Sequence, residues 1–273
     1  MLIRRLCIPL TALALVAGSW LAATSASAAT AAHRPSATGF IPGGLLIRPG
    51  GADRAATPGV RNQEVESTNW SGYAATGSDG AFSSVSASWT QPTATCSSSS
   101  GRRSSDQYAA FWVGLDGYSS DSVEQTGTDS DCDGRTPDYY GWYEMYPADP
   151  VYYSNPVEPG DQISASVTFS GSEAYKLVLT DSTQGWTQTV TKDESGLDRS
   201  SAEVITEAPS SDTGVLPLAD FGTVNYGSAE ANGDTLASLS PTEIIMVDSE
   251  GRQEDSTSAI SGGSFSNTWI RSS

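Results

Sequence analysis

Two short segments carry a glutamine and a glutamate in settings that suit chemistry: Val123-Glu-Gln-Thr-Gly127 and Ala202-Glu-Val-Ile-Thr-Glu207. The single histidine of the chain, His33, lies upstream of both. A hydrolase without histidine in its folded part has no Ser-His-Asp or Cys-His nucleophile, and it has no His-ligated zinc. Carboxylates and amides remain. A carboxylate can take a proton from water and return it to a leaving group. An amide N–H can stabilise a developing oxyanion. Gln125 and Glu207 are therefore the first candidates.

Strands must position them. Side chains two apart on a strand share a face. Val123 and Gln125 thus lie on one face, with Glu124 pointing away, and Glu203, Ile205 and Glu207 share a face. In Gly141-Trp-Tyr-Glu-Met-Tyr146, Trp142, Glu144 and Tyr146 are opposite Tyr143 and Met145, and Trp112 is opposite Phe111 and Val113. Several strands therefore present Trp, Tyr, Gln and Glu together. Two readings fit: an aromatic-lined cleft with carboxylates at its floor, or a solvated outer face.

Further strands alternate: Val85, Ala87 and Trp89; Ile163, Ala165, Val167 and Phe169; Tyr175, Leu177 and Leu179. Short apolar runs at 244–247 and 265–270 add two more, and Gly-containing turns separate the set at 78–80, 158–160, 170–171, 232–233 and 261–263. No stretch shows a sustained helical period. Many short strands with regular turns predict one all-β antiparallel sandwich or barrel over 67–273.

Upstream of it, Met1-Leu-Ile-Arg-Arg5, an apolar run to about Leu21 and Ala26-Ser-Ala28 read as a signal peptide over 1–28. That predicts a secreted, extracellular protein, with no membrane association after cleavage. Residues 29–66 are rich in Ala, Gly, Pro and Thr and hold most of their charge as Arg, ahead of a strongly acidic domain. A basic pro-segment lying on an acidic domain is expected, a flexible linker being the alternative. Cys7 leaves with the signal peptide, so Cys96 and Cys132 are expected to pair in an oxidising compartment.

The formal net charge is −18, from 32 acidic and 14 basic residues. Nucleic acid is excluded as a partner, since its phosphates would be repelled. Self-repulsion of such a domain falls as carboxylates protonate, which favours work in acid.

The chain resembles the glutamic peptidases (eqolisins; peptidase family G1, A4 in older usage). The resemblance rests on Asn69-Trp-Ser-Gly-Tyr73, Ser84-Val-Ser-Ala-Ser-Trp-Thr-Gln-Pro92, Phe111-Trp-Val-Gly-Leu-Asp-Gly117 and Gln125-Thr-Gly127. It continues with Trp142-Tyr-Glu-Met-Tyr-Pro147, Pro159-Gly-Asp161, Ala202 to Pro209 and Ala219-Asp-Phe-Gly-Thr223, in the family's order across the domain. It implies an antiparallel β-sandwich of two curved, concanavalin-like sheets and a pepstatin-insensitive acid endopeptidase. No cofactor is implied, polypeptides are the substrates, and a monomer is expected. The catalytic pair it implies is Gln125 and Glu207, with Trp112, Asp116, Asp129, Trp142 and Glu144 as supporting positions. Two positions depart from the pattern: Val204 replaces an aromatic, and Tyr140 stands where fungal members carry Asp.

Aspartic peptidase chemistry needs two carboxylates sharing a proton, and the tripeptide in question is Gln125-Thr-Gly127, not Asp-Thr-Gly. Glu203, on the face of Glu207, is the alternative base. A secreted glycosidase or a carbohydrate-binding β-sandwich is the alternative to a peptidase.

Overall fold

The computed structural model describes residues 64–96, 106–211 and 213–272. The signal-peptide reading and positions 29–63 of the pro-segment reading lie outside these residues. The strands are, in chain order, β1 (Glu64–Ser67), β2 (Trp70–Thr76), β3 (Ser84–Thr90), β4 (Ala110–Leu115), β5 (Val123–Asp133) and β6 (Thr136–Tyr146). There follow β7 (Val151–Tyr152), β8 (Gln162–Phe169), β9 (Ala174–Asp181), β10 (Trp186–Asp193), β11 (Ser201–Glu207) and β12 (Ser210–Ser211). The last are β13 (Gly214–Val215), β14 (Thr223–Ala231), β15 (Asp234–Thr235), β16 (Thr242–Met246), β17 (Asp255–Thr257) and β18 (Phe265–Trp269). A single 3₁₀ turn, Leu236–Leu239, is the helical element among the described residues. None of them forms a helix long and apolar enough to cross a membrane.

Two eight-stranded sheets dominate. The first runs β1-β16-β2-β11-β4-β5-β6-β7, and the second β10-β9-β8-β3-β14-β18-β17 with β15 beside β14. Pairing is antiparallel except for β1, which lies parallel to β16 and includes Glu64 to Glu66, just upstream of the expected domain start.

The second sheet behaves as its sequence alternation requires. β3 buries Val85, Ala87 and Trp89 and leaves its serines half-buried. Those side chains meet Tyr73, Phe111, Val113, Leu115 and Val204 of the first sheet in one apolar core. The first sheet differs: β4 and β11 are buried along their whole length, on both faces. Its far face carries a second cluster, with Trp70, Trp112, Trp142, Tyr140, Val123, Ile205 and Ile244. This resolves the two readings of the polar–aromatic strands in favour of an enclosed face. An outer solvated face would leave these side chains wet, whereas Trp112, Gln125, Glu144 and Glu207 are fully buried.

The core sheet also fixes β11. Tyr226 of β14 donates its hydroxyl to the Ile205 carbonyl at 2.7 Å. At the start of the strand, Asp116 accepts the backbone N–H groups of Arg199 (2.6 Å) and Ser200 (2.8 Å).

Cys96 and Cys132 form a disulfide across 36 positions. A loop of that size contributes about 3–4 kcal/mol on the chain-entropy account. Replacing both cysteines with Ser should lower the unfolding free energy by about that amount. Urea unfolding at acid pH measures it, and an unchanged midpoint would contradict the assignment.

Candidate active site

The strand register arranges the far face of the first sheet in rows. One row reads Glu144, Gln125, Gly114, Glu203 and Ala74 across β6, β5, β4, β11 and β2. The next reads Trp142, Gly127, Trp112, Ile205 and Gly72, and the third Tyr140, Asp129, Ala110, Glu207 and Trp70. Gln125, Glu144, Trp142, Trp112, Asp129 and Glu207 thus come together from four strands around one central indole.

Two glycines make room for that indole. A Cβ on Gly127 would meet Trp112 Cβ at 2.6 Å, and one on Gly114 would meet Trp112 Cζ3 at 2.8 Å. The ring, packed edge-on to Trp70 with centroids 4.9 Å apart, reaches towards β11. Its Nε1–H donates to Glu207 Oε2 at 2.9 Å. Asn69 Nδ2 donates to Glu207 Oε1 at 3.3 Å. Both carboxylate oxygens are therefore fixed by N–H donors, and neither has to carry a proton to make its contact.

Gln125 is held from the other side. Its Nε2 donates to Glu144 Oε2 at 2.6 Å. An amide nitrogen has two N–H groups, so one bond fixes the side chain and the second remains for a ligand. Gln125 Oε1 and Glu144 Oε1 are buried without hydrogen-bond partners. Unmet buried polar atoms are costly, and their placement beside Trp112 and Trp142 on the far face of the first sheet fits a site completed by water or substrate.

Charge is concentrated here. Burial pushes Glu144 well above the usual carboxylate range, and the neighbouring Glu207 charge adds to it. Asp129 is likewise raised, by burial foremost; bonds from Trp142 and Tyr140 oppose the shift and the Glu207 charge reinforces it. Trp142 Nε1 donates to Asp129 Oδ1 at 2.5 Å, holding the second indole.

Glu203 shares a row with Gln125, so register alone would favour it. Its surroundings do not. Burial foremost raises it far above the carboxylate range, and the charges of Asp116 and Glu124 add to that. Both its oxygens lack hydrogen-bond partners. A carboxyl raised in this way favours its protonated form, and that form does not take a proton from water. Asp116 belongs with it: rather than joining Gln125 and Glu207, it clamps the turn into β11. Glu124 points to the opposite side of the sheet, as parity requires, and is pushed up to about 9 by burial and then by Asp116.

Asn69 and Asp131 were not singled out by sequence reasoning. Asn69 lies in a quoted motif, but its role depends on the β2–β11 register. Asp131 lies past the motif, at the end of β5, and only the Tyr140 departure hints at it.

The sequence pattern of the Peptidase A4 family matches residues 68–269. Aspergillopepsin-2 of Aspergillus niger is 30% identical over 233 residues, covering 78% of this chain and 80% of that protein. Scytalido-glutamic peptidase, solved with a transition-state analog inhibitor, superposes with a TM-score of 0.62 at 27% identity, over 74% of this chain and 98% of the other. SCP-B of the eqolisin family, bound to the tripeptide Ala-Ile-His, gives 0.59 at 26% identity, over 74% and 98%.

Proposed function

From the premise that this chain belongs to the Peptidase A4 family, the glutamic peptidases, we propose that it hydrolyses peptide bonds through Glu207 and Gln125. The chain is a glutamic endopeptidase, and polypeptides are its substrates. The observation that carries the residue assignment is the pair of N–H bonds that fix Glu207 as an acceptor on the far face of the first sheet.

The steps follow from the side chains. Glu207, as carboxylate, removes a proton from a water as its oxygen attacks the scissile carbonyl carbon. Gln125 presents its free N–H to the oxygen as it becomes an oxyanion. Glu207, now protonated, gives that proton to the leaving nitrogen, the C–N bond breaks, and the carboxylate is restored. Glu144 orients Gln125; Trp112 and Asn69 orient Glu207; Trp142 and Asp129 brace the floor. Gln125 does not titrate, so the pH dependence belongs to the carboxylates.

Glu203→Gln tests the rival base. A neutral amide in place of a neutral acid should leave kcat within about threefold of wild type and raise stability near neutral pH, where the native acid must hold its proton. Loss of activity with the fold intact would transfer the base role to Glu203.

The protein is further read as a secreted, extracellular monomer made with a pro-segment over 29–66, removed in acid as the domain's carboxylates protonate. The signal-peptide pattern supports secretion, and the charge asymmetry of the sequence supports the pro-segment. Holding purified precursor at low pH and reading the new N-terminus checks it: a start near Ser67 is expected. Persistence of the intact chain would count against self-removal.

A further inference from the structure

We propose that Asp131, Tyr140 and Asp129 form a hydrogen-bonded relay that keeps Asp129 a neutral carboxylic acid beside Glu207, so that Asp131 and Tyr140 are positioning residues that set the pH range of catalysis. The catalytic half of this statement rests on Glu207 being the base.

The relay follows from counting protons. The Tyr140 hydroxyl touches two carboxylates, Asp131 Oδ2 and, at 3.1 Å, Asp129 Oδ2. A phenol has one proton to donate and lone pairs that accept. Tyr140 stays a phenol, since burial and then the charges of Asp129 and Asp131 raise it far above its ordinary range. It can therefore donate to only one of the two. The other contact needs a proton from the carboxyl itself. With both acids ionised, one carboxylate would face the phenol oxygen with no proton between them, in a fully buried site.

The surroundings place that proton on Asp129. Its other oxygen, Oδ1, already accepts Trp142 Nε1–H. Acidic groups face it from several strands: Glu207 on β11, Glu144 and Asp138 on β6, and Asp131 on its own strand. Tyr152 on β7, packed edge-on to Tyr140 at 5.2 Å, adds a neutral hydroxyl. Asp131, one residue pair further from Glu207 along the register, accepts Ala109 N–H at 3.1 Å and the Tyr140 proton. The chain then reads Asp131 carboxylate, Tyr140 O–H, Asp129 O–H, with every proton used once. In the register, only Ala110 separates Asp129 from Glu207. A second ionised carboxylate there would raise the proton affinity of the base, since like charges oppose ionisation. The relay removes that charge.

The test uses the full-length protein after acid activation. In infrared spectra at about pH 6, where exposed carboxylates are ionised, Asp129→Asn should lose the carbonyl band of a protonated acid. Loss of an ionised-carboxylate band instead would overturn the proposal. In kinetics, Asp129→Asn should keep the acid limb of kcat/KM at its wild-type pH whatever its maximal rate, because the amide mimics the neutral acid. Asp131→Asn should move that limb up by roughly one pH unit: the new amide donates to the Tyr140 oxygen, Tyr140 turns its proton to Asp129, and Asp129 ionises. A downward shift in Asp129→Asn, or no shift in Asp131→Asn, would overturn it. If Glu207→Gln proved fully active, the base assignment would fall, while the infrared comparison would still decide the relay.

Discussion

The free energy of unfolding should fall steeply as the pH is raised from about 4 to about 9, the opposite of the usual behaviour of ion-paired proteins. The reason is the buried carboxyl population. Asp129, Glu144 and Glu203 are all held far above the carboxylate range, chiefly by burial. Glu124 is pushed up to about 9 and Asp255 to about 7, again mainly by burial. The native state therefore holds protons that the unfolded chain has released. Stability rises with pH only where the unfolded state binds more protons; here it binds fewer. The contribution is complete below the unfolded carboxylate values, near 4, and is lost as pH climbs through the folded ones. Each held proton costs about 1.4 kcal/mol per pH unit. Two such groups over three units remove about 8 kcal/mol, comparable to the total stability of a typical domain. The net charge of −18 acts in the same direction through self-repulsion. Urea midpoints measured at intervals across this range test it. Maximal stability near pH 8 would contradict the account.

The second large effect is on turnover. Gln125→Ala should lower kcat by about 10²–10³, the usual loss for one oxyanion donor. It should do so without moving the acid limb of the pH profile, because the amide carries no titrating proton. Glu207→Gln removes the only proton carrier of the scheme and should cost more, leaving activity at or near background. The two losses should not add in the double variant, since the groups act on one transition state. Circular dichroism at acid pH separates these losses from misfolding. Full activity in both single variants would refute the pair.

The sequence carried much of this because strands are legible through parity. Alternation at Val85, Ala87 and Trp89 was enough to identify β3 and its buried face. The same parity placed Gln125, Trp112 and Glu207 on one face and Glu124 on the other, as found. The enclosure of that face was ambiguous, because polar alternation reads alike for a cleft and a wet surface. Burial of three tryptophans there decides it. Parity could not separate Glu203 from Glu207: both point the same way, and the difference lies in neighbours contributed by β2 and the turn at Asp116. Asn69 reaches Glu207 across 138 positions, and such a pair appears only once the β2–β11 register is known. The Tyr140 departure was visible, but its meaning depended on Asp131 lying within reach of the same hydroxyl.

The most direct test of the central claim is a crystal structure of this protein with a non-hydrolysable tetrahedral peptide analogue. The account predicts one tetrahedral oxygen about 2.7–3.1 Å from Gln125 Nε2. The other should lie within hydrogen-bond distance of Glu207, with Glu203 out of contact. A tetrahedral centre seated against Glu203, or one whose oxygens do not touch Gln125, would contradict it.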